Sequence, residues 1–166
     1  ADIVNNGKRC KQLLKRRPDL TEMDMQHYIV NISGAQTLID PKHESSVNLL
    51  ADMIDTMGEN FAGVVLSVNS LRGILFETGV GTHKDPYVTA VQRIFGLMQY
   101  RVFAQTDETS VPLLANALSG SMNQSELETL PRLKKGQLFM NIAGVGNLVF
   151  NQQLLAPEVE RYGGIE

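Results

Sequence analysis

Apolar positions along this chain change period several times, and each change predicts an element. Residues 5–17 are polar with apolar positions at helical spacing, and they stop before Pro18, which disfavours a helical residue before it. Residues 28–32, Tyr-Ile-Val-Asn-Ile, read as a buried strand that runs into the polar turn Ser33-Gly34-Ala35-Gln36. Residues 44–58 read as an amphipathic helix, with Val47, Leu50, Ala51, Ile54 and Met57 on one face and Gly58 as its stop. Val64-Val65-Leu66-Ser67-Val68 is a nearly continuous apolar run, the pattern of a strand buried on both faces.

The second half is read the same way. A short turn or helix spans 70–76, and a glycine-rich loop spans 77–86. A helix over 87–98 carries Val88, Val91, Ile94, Phe95 and Met98 on one stripe. Tyr100–Gln105 reads as another buried strand, and 110–119 as a helix. A short helix over 124–130 has Asn123 as its N-cap and Glu126 three positions on, the capping-box spacing. Residues 137–142 and 147–152, joined by Ala-Gly-Val-Gly, form a β-hairpin. Alternating strands and helices predict an α/β layered domain, with two or three parallel strands and the hairpin at one end or edge of that sheet.

Composition narrows the picture little. The 166 residues suit one domain, and 43% apolar with 20% charged residues is ordinary globular composition. A net charge of −3 excludes polyanion binding by bulk electrostatics. Cys10 is the single cysteine, so no internal disulfide forms; an idle helix thiol is the favoured reading, despite its basic neighbours. No apolar run approaches the roughly 20 residues of a membrane-spanning helix, and no signal peptide is evident. The chain does not start with Met and ends soon after Gly163-Gly164, so a piece of a longer protein is expected.

Most motifs are excluded by spacing. No Gly-x-x-x-x-Gly-Lys-Ser/Thr phosphate loop occurs. The cluster Gly79-Val80-Gly81-Thr82-His83-Lys84 has the wrong spacing and reads as a surface loop rather than an anion cradle before Asp85. Gly144-Val145-Gly146 lacks the third glycine of a dinucleotide turn. His27, His43 and His83 have no metal-ligand spacing, and Ser33 lacks the upstream glycine of a nucleophile elbow. No metal site and no small-molecule substrate is expected. Gln105-Thr106-Asp107-Glu108 follows a strand, where ligands bind in α/β proteins, but Asp107 or Thr109 as a helix cap is favoured. Lys8, Arg9, Lys11, Lys15, Arg16 and Arg17 place six cations in ten residues and would cover most of a helix apart from Leu13 and Leu14. Such a run fits DNA phosphates or an acidic partner, with a solvated face as the commoner explanation.

The segments 28–40 and Phe61-Ala62-Gly63-Val64-Val65-Leu66-Ser67-Val68-Asn69-Ser70, with the tail from Tyr100 to Phe150, resemble the carboxyl-terminal half of the large cytoplasmic ATPase of conjugative type IV secretion systems. The branch resembled is that of Gram-positive conjugative transposons and plasmids. The most family-like stretch is 118–136. The resemblance implies a RecA-like P-loop fold, partial or degenerate here, as a single ATPase-like domain of a longer protein. It also implies a cytoplasmic, membrane-peripheral location at the inner face of the bacterial membrane, hexamers, secretion-channel partners and a role in DNA transfer.

Departures from the family pattern sit at its chemistry. The acidic pair that ends the first strand is replaced by Ser33-Gly34. A glutamine after the next strand is replaced by Asn69, and cations near the end of the intervening helix by Asp55, Gly58 and Glu59. The phosphate loop would lie upstream of residue 1. Magnesium needs carboxylate oxygens, and a cationic finger is worth orders of magnitude in rate. No catalytic residue and no cofactor is therefore expected in this chain, with MgATP left to the full-length protein. Ser33, Gln36, Asn69, Gln105 and Asp107 are the expected lining of a vestigial nucleotide site, converging if their strands are adjacent and parallel. Two alternatives stay open. The full-length protein is an active motor, or the basic helix makes a DNA-binding module.

Overall fold

A computed structural model describes residues 2–75, 86–118, 122–153 and 157. The glycine-rich loop, including His83, lies outside the described residues apart from Pro86, as do Phe76 and Ser119–Ser121 within stretches discussed above. The chain is mixed α/β and divides into two compact units, Ala1–Leu97 and Met98–Glu166.

The first unit opens with α1, Asp2–Arg16. Strand β1, Tyr28–Ser33, leads through two short 3₁₀ turns to α2, Glu44–Gly58. Strand β2, Ala62–Ser67, lies parallel to β1, with Tyr28 opposite Ala62 and Ser33 opposite Ser67. Helices α3, Arg72–Leu75, and α4, Pro86–Leu97, complete the unit. Helix α2 packs on β2 and on α4. Its buried face is Val47, Leu50, Ala51, Ile54 and Met57, as its periodicity predicts. On α4 the buried stripe is Tyr87, Ala90, Val91 and Ile94, while Val88 and Phe95 are only half-buried. Tyr87 gains its place because its buried hydroxyl donates to the Ile74 carbonyl at 3.0 Å, so a polar tip is satisfied inside the core.

Three strands predicted to be buried are not. In β1 and β2 every second residue is exposed, and none is fully buried. Val30, Ile32, Val64 and Leu66 are half-buried, whereas Ile29 and Val65, on the opposite side, are 77% and 50% exposed. Side chains alternate across a strand, so a layer on one side of this two-stranded sheet shelters only alternate residues. Strand β3, Tyr100–Phe103, buries only Phe103.

In the second unit β3 does not extend a parallel sheet. It pairs antiparallel with β4, Gln137–Ile142, which pairs antiparallel with β5, Gly146–Asn151. The hairpin is thus part of a separate three-stranded antiparallel sheet, not an edge of the parallel one. Strand-helix alternation misleads here because no single crossover helix joins β3 to β4. Two short helices, α5 (Val111–Ala117) and α6 (Gln124–Leu127), and two 3₁₀ turns return the chain so that β4 runs back along β3. The turn Ala143–Val145 uses Gly144 at φ 73°, a left-handed conformation that glycine adopts without steric cost.

Candidate functional site

Polar residues gather at the carboxyl ends of β1 and β2, where open α/β sheets place ligands. Gly34 leaves β1 in the left-handed region, at φ 68°, and turns the chain into the 3₁₀ segment Ala35–Thr37. The Thr37 hydroxyl donates back to the Gly34 carbonyl at 3.0 Å, and fully buried Ala35 anchors the turn. This geometry aims Gln36 across the strand ends. Its Oε1 accepts from the Asn69 backbone N–H at 3.4 Å, tying the exit of β1 to the loop after β2. The register sets Ser33 beside Ser67, both exposed. Ser67 belongs to this group and was missed by sequence reasoning, although its position at the end of an apolar run marks it.

The side chains of Ser33, Gln36, Ser67 and Asn69 are all neutral. Among the described residues no group of three or more His, Cys, Asp or Glu is arranged to hold a metal ion. The acid next along the chain, Asp40, accepts from the Lys42 N–H at 2.9 Å and caps the turn Pro41–His43.

Gln105 and Asp107 belong to the second unit, beyond a strand that has no place in the parallel sheet. The adjacency expected to bring them to Ser33 is therefore not supplied by strand pairing. Gln105 Nε2 donates to the Pro131 carbonyl at 3.1 Å. Asp107 accepts from Ser110 N–H at 3.0 Å, from Ser110 Oγ at 2.7 Å and from the Thr109 hydroxyl. Both of its carboxylate oxygens thus serve the cap that leads into α5, as favoured from sequence.

A cation does reach α2, but from the neighbouring helix. Arg93 of α4 binds Asp52 at 2.5 Å and Asp55 at 3.0 Å, two acids one turn apart. Hydrogen bonds to Asp52 first, and to Asp55, hold the Arg93 pKa above its ordinary value. The pair is exposed and works as a clasp between helices rather than as a finger toward the strand ends. An open cleft of about 690 Å³ lies over the start of α2, with Lys42, His43, Glu44, Asn48 and Asp52 in its lining. None of the strand-end residues lines it.

The second unit holds a polar relay that sequence reasoning missed. Arg101 Nη1 donates to Asn141 Oδ1; Asn141 Nδ2 donates to Asn147 Oδ1 at 2.6 Å; Asn147 Nδ2 donates to Glu126 Oε1 at 2.6 Å. Glu126 Oε2 in turn accepts from the Asn123 N–H at 2.7 Å, closing the capping box. The relay crosses all three strands and ends on α6. Partial burial pushes the Arg101 guanidinium below its ordinary pKa. The available signal was Asn141, a polar residue that follows the apolar run Leu138-Phe139-Met140 at an inward position of β4.

Basic residues follow their own pattern on α1. Lys8, Arg9, Lys11, Lys15 and Arg16 are exposed, while Gly7 and Cys10 are buried. Arg17 turns away to a two-pronged bond with Asp19, at 2.8 and 2.6 Å.

No protein-family model matches this chain. Uncharacterized protein pXO2-09 of Bacillus anthracis is 24% identical over 163 residues, which span 97% of this chain and 24% of that protein. Among solved structures, VirB4 of Thermoanaerobacter pseudethanolicus matches with a TM-score of 0.62 and 15% identity over 89% of this chain and 35% of that one. The fold is thus similar to part of VirB4, and the chain spans about a quarter to a third of the length of these relatives. No helix among the described residues is long and apolar enough to cross a membrane.

Proposed function

We propose that this chain is an ATPase-like part of a bacterial conjugation or type IV secretion machine, with a degenerate nucleotide site and a role in assembly and docking. The carrying observation is chemical. In a fold similar to part of VirB4, the two parallel strands end in Ser33, Gln36, Ser67 and Asn69, without a carboxylate among them. Magnesium held on nucleotide phosphates needs carboxylate oxygens directly or through water. Gln36 bonds Asn69 and Asp107 caps a helix, so these groups now do structural work. Fold alone does not fix function, and the resemblance of the Gram-positive conjugative branch supplies the biological setting.

On this reading the chain is a single ATPase-like domain within a longer protein. Its partners are secretion-channel proteins at the inner face of the bacterial membrane, and the whole protein assembles as a hexamer. Calorimetric titration with MgATP, alongside an ATPase assay, tests it on the protein extended upstream to its natural start. No binding and no turnover are expected. Tight binding with turnover abolished by Asn69→Ala or Asp107→Ala would sink the degenerate-site reading. A second reading, an active motor in the full-length protein, draws on the length of the relatives, most of which lies outside the matched part. An intact phosphate loop upstream, with MgATP as its ligand, would favour it.

A further inference from the structure

We infer that the outer face of α1 is a docking surface for the phosphate backbone of duplex nucleic acid. Helix α1 lies against the first unit through Ile3, Asn6, Gly7, Cys10 and Leu14. Asn6 Nδ2 donates to the Gln26 carbonyl at 3.1 Å, and Gly7 sits against the Asn60 side chain. At 3.6 residues per turn, Lys8, Lys11, Lys15, Arg9 and Arg16 then fall within an arc of about 160° opposite that docked face. They do not surround the helix, as the sequence alone suggests; they share one side of it.

An ordinary solvated face interleaves both signs. This one does not: no acid occurs between Ile3 and Pro18. Lys8 and Lys11 stand three apart, and Lys11 and Lys15 four apart, spacings at which like charges repel and destabilise a helix. None of the five makes an ion pair among the described residues. A polyanion would relieve that repulsion, and the overall charge of −3 confines the attraction to this helix.

Several features select the class of polyanion. Ile3, Cys10 and Leu14 of α1 face the protein, and the exposed Val4 and Leu13 lie on opposite sides of the helix, so it lacks the contiguous free apolar face that inserts into a lipid surface. No aromatic residue stands among the cations, so nothing offers a stacking platform for single-stranded bases. Lysine and arginine without base-reading partners give backbone contact independent of sequence.

Fluorescence anisotropy with a labelled duplex of about 20 base pairs and arbitrary sequence tests the assignment on the whole chain. Five phosphate contacts give a salt slope of about −4 to −5, so affinity falls roughly 10²- to 10³-fold between 50 and 200 mM salt. K8A/K11A/K15A is expected to lose most of the binding, and K8R/K11R/K15R to keep it. The charge-matched control K42A/R132A/K134A is expected to bind like the parent. Circular dichroism of each variant separates lost binding from lost folding. Absence of duplex binding at 50 mM salt would overturn the inference, as would equal loss in the control. Tighter binding to phosphatidylserine vesicles or to poly-glutamate than to the duplex would overturn it too.

Discussion

Single residues decide how α1 is held. A Cβ built on Gly7 would lie 2.1 Å from Asn60 Oδ1 and 2.7 Å from its Cβ, well inside contact distance. Asn60 cannot easily yield, because it is buried and its Nδ2 donates to the Thr56 carbonyl at 2.7 Å. Gly7→Ala is therefore expected to cost about 1–3 kcal/mol, the usual range for overpacking, measured by urea denaturation. Asn60→Gly in the same chain should recover much of that loss, since it removes the three atoms nearest the new methyl. If the two substitutions simply add, the close approach is not what matters at this position. Phe61, next along, takes a left-handed conformation at φ 58° to turn the chain from α2 into β2, with its ring edge-on to His27 at 5.7 Å. A second residue-scale test concerns Asp24. The Thr21 backbone N–H first, and then its hydroxyl, hold the Asp24 carboxyl below the ordinary aspartate pKa. A lowered native pKa contributes stability above the unfolded value, lost as pH falls through the native one. Carbon-detected NMR titration should find the Asp24 midpoint below that of a free aspartate. Thr21→Val, which keeps the N–H, should return only part of the shift.

At the scale of elements, the relay from Arg101 to Asn123 makes α6 and the three-stranded sheet one cooperative piece. Asn141 is 3% exposed, and Asn141→Leu withdraws its bonds from the half-buried Arg101 and Asn147. The expected cost is about 1–3 kcal/mol, read from the thermal or urea transition. Glu126→Ala opens the capping box and frees Asn147 together, and should cost about 1–2 kcal/mol. These elements also mark where sequence is legible. Local chemistry read well. The stripe on α2, the cap at Asn123 and the hairpin all stand, because each is set by neighbours within a few residues. Burial and sheet membership read poorly. Val64-Val65-Leu66 has the composition of a doubly covered strand, yet coverage depends on what packs above it. The pairing of β3 with β4 likewise depends on how the intervening short helices turn the chain. At the candidate site, Gln36 and Asn69 do meet, since both follow strands that pair in parallel. Gln105 and Asp107 were assigned by position after a strand, and that strand joined the other sheet.

For the whole molecule, the uncovered side of the parallel pair is the feature that sets its surface behaviour. Ile29 and Val65 occupy it beside polar Asn31, Ser33 and Ser67, all exposed. Exposed side chains contribute little to folding, so Ile29→Thr/Val65→Thr should change stability by no more than about 0.5 kcal/mol. The same pair should reduce binding of a hydrophobic dye to the intact chain. A large loss of stability instead would mean that this face is covered in solution.

The parallel register of β1 and β2 also has a kinetic side. Ser33 and Ser67 meet only after all of α2 has been threaded between them, whereas Ile142 and Gly146 are partners across a three-residue turn. Loop-closure entropy grows with the length enclosed, and isolated hairpins form within microseconds. The hairpin of the second unit therefore closes early, and the ends of β1 and β2 come together more slowly. Slowing the hairpin by replacing Gly144 would leave that assembly rate untouched in the first unit, and accelerating it would not hurry Gln36 toward Asn69.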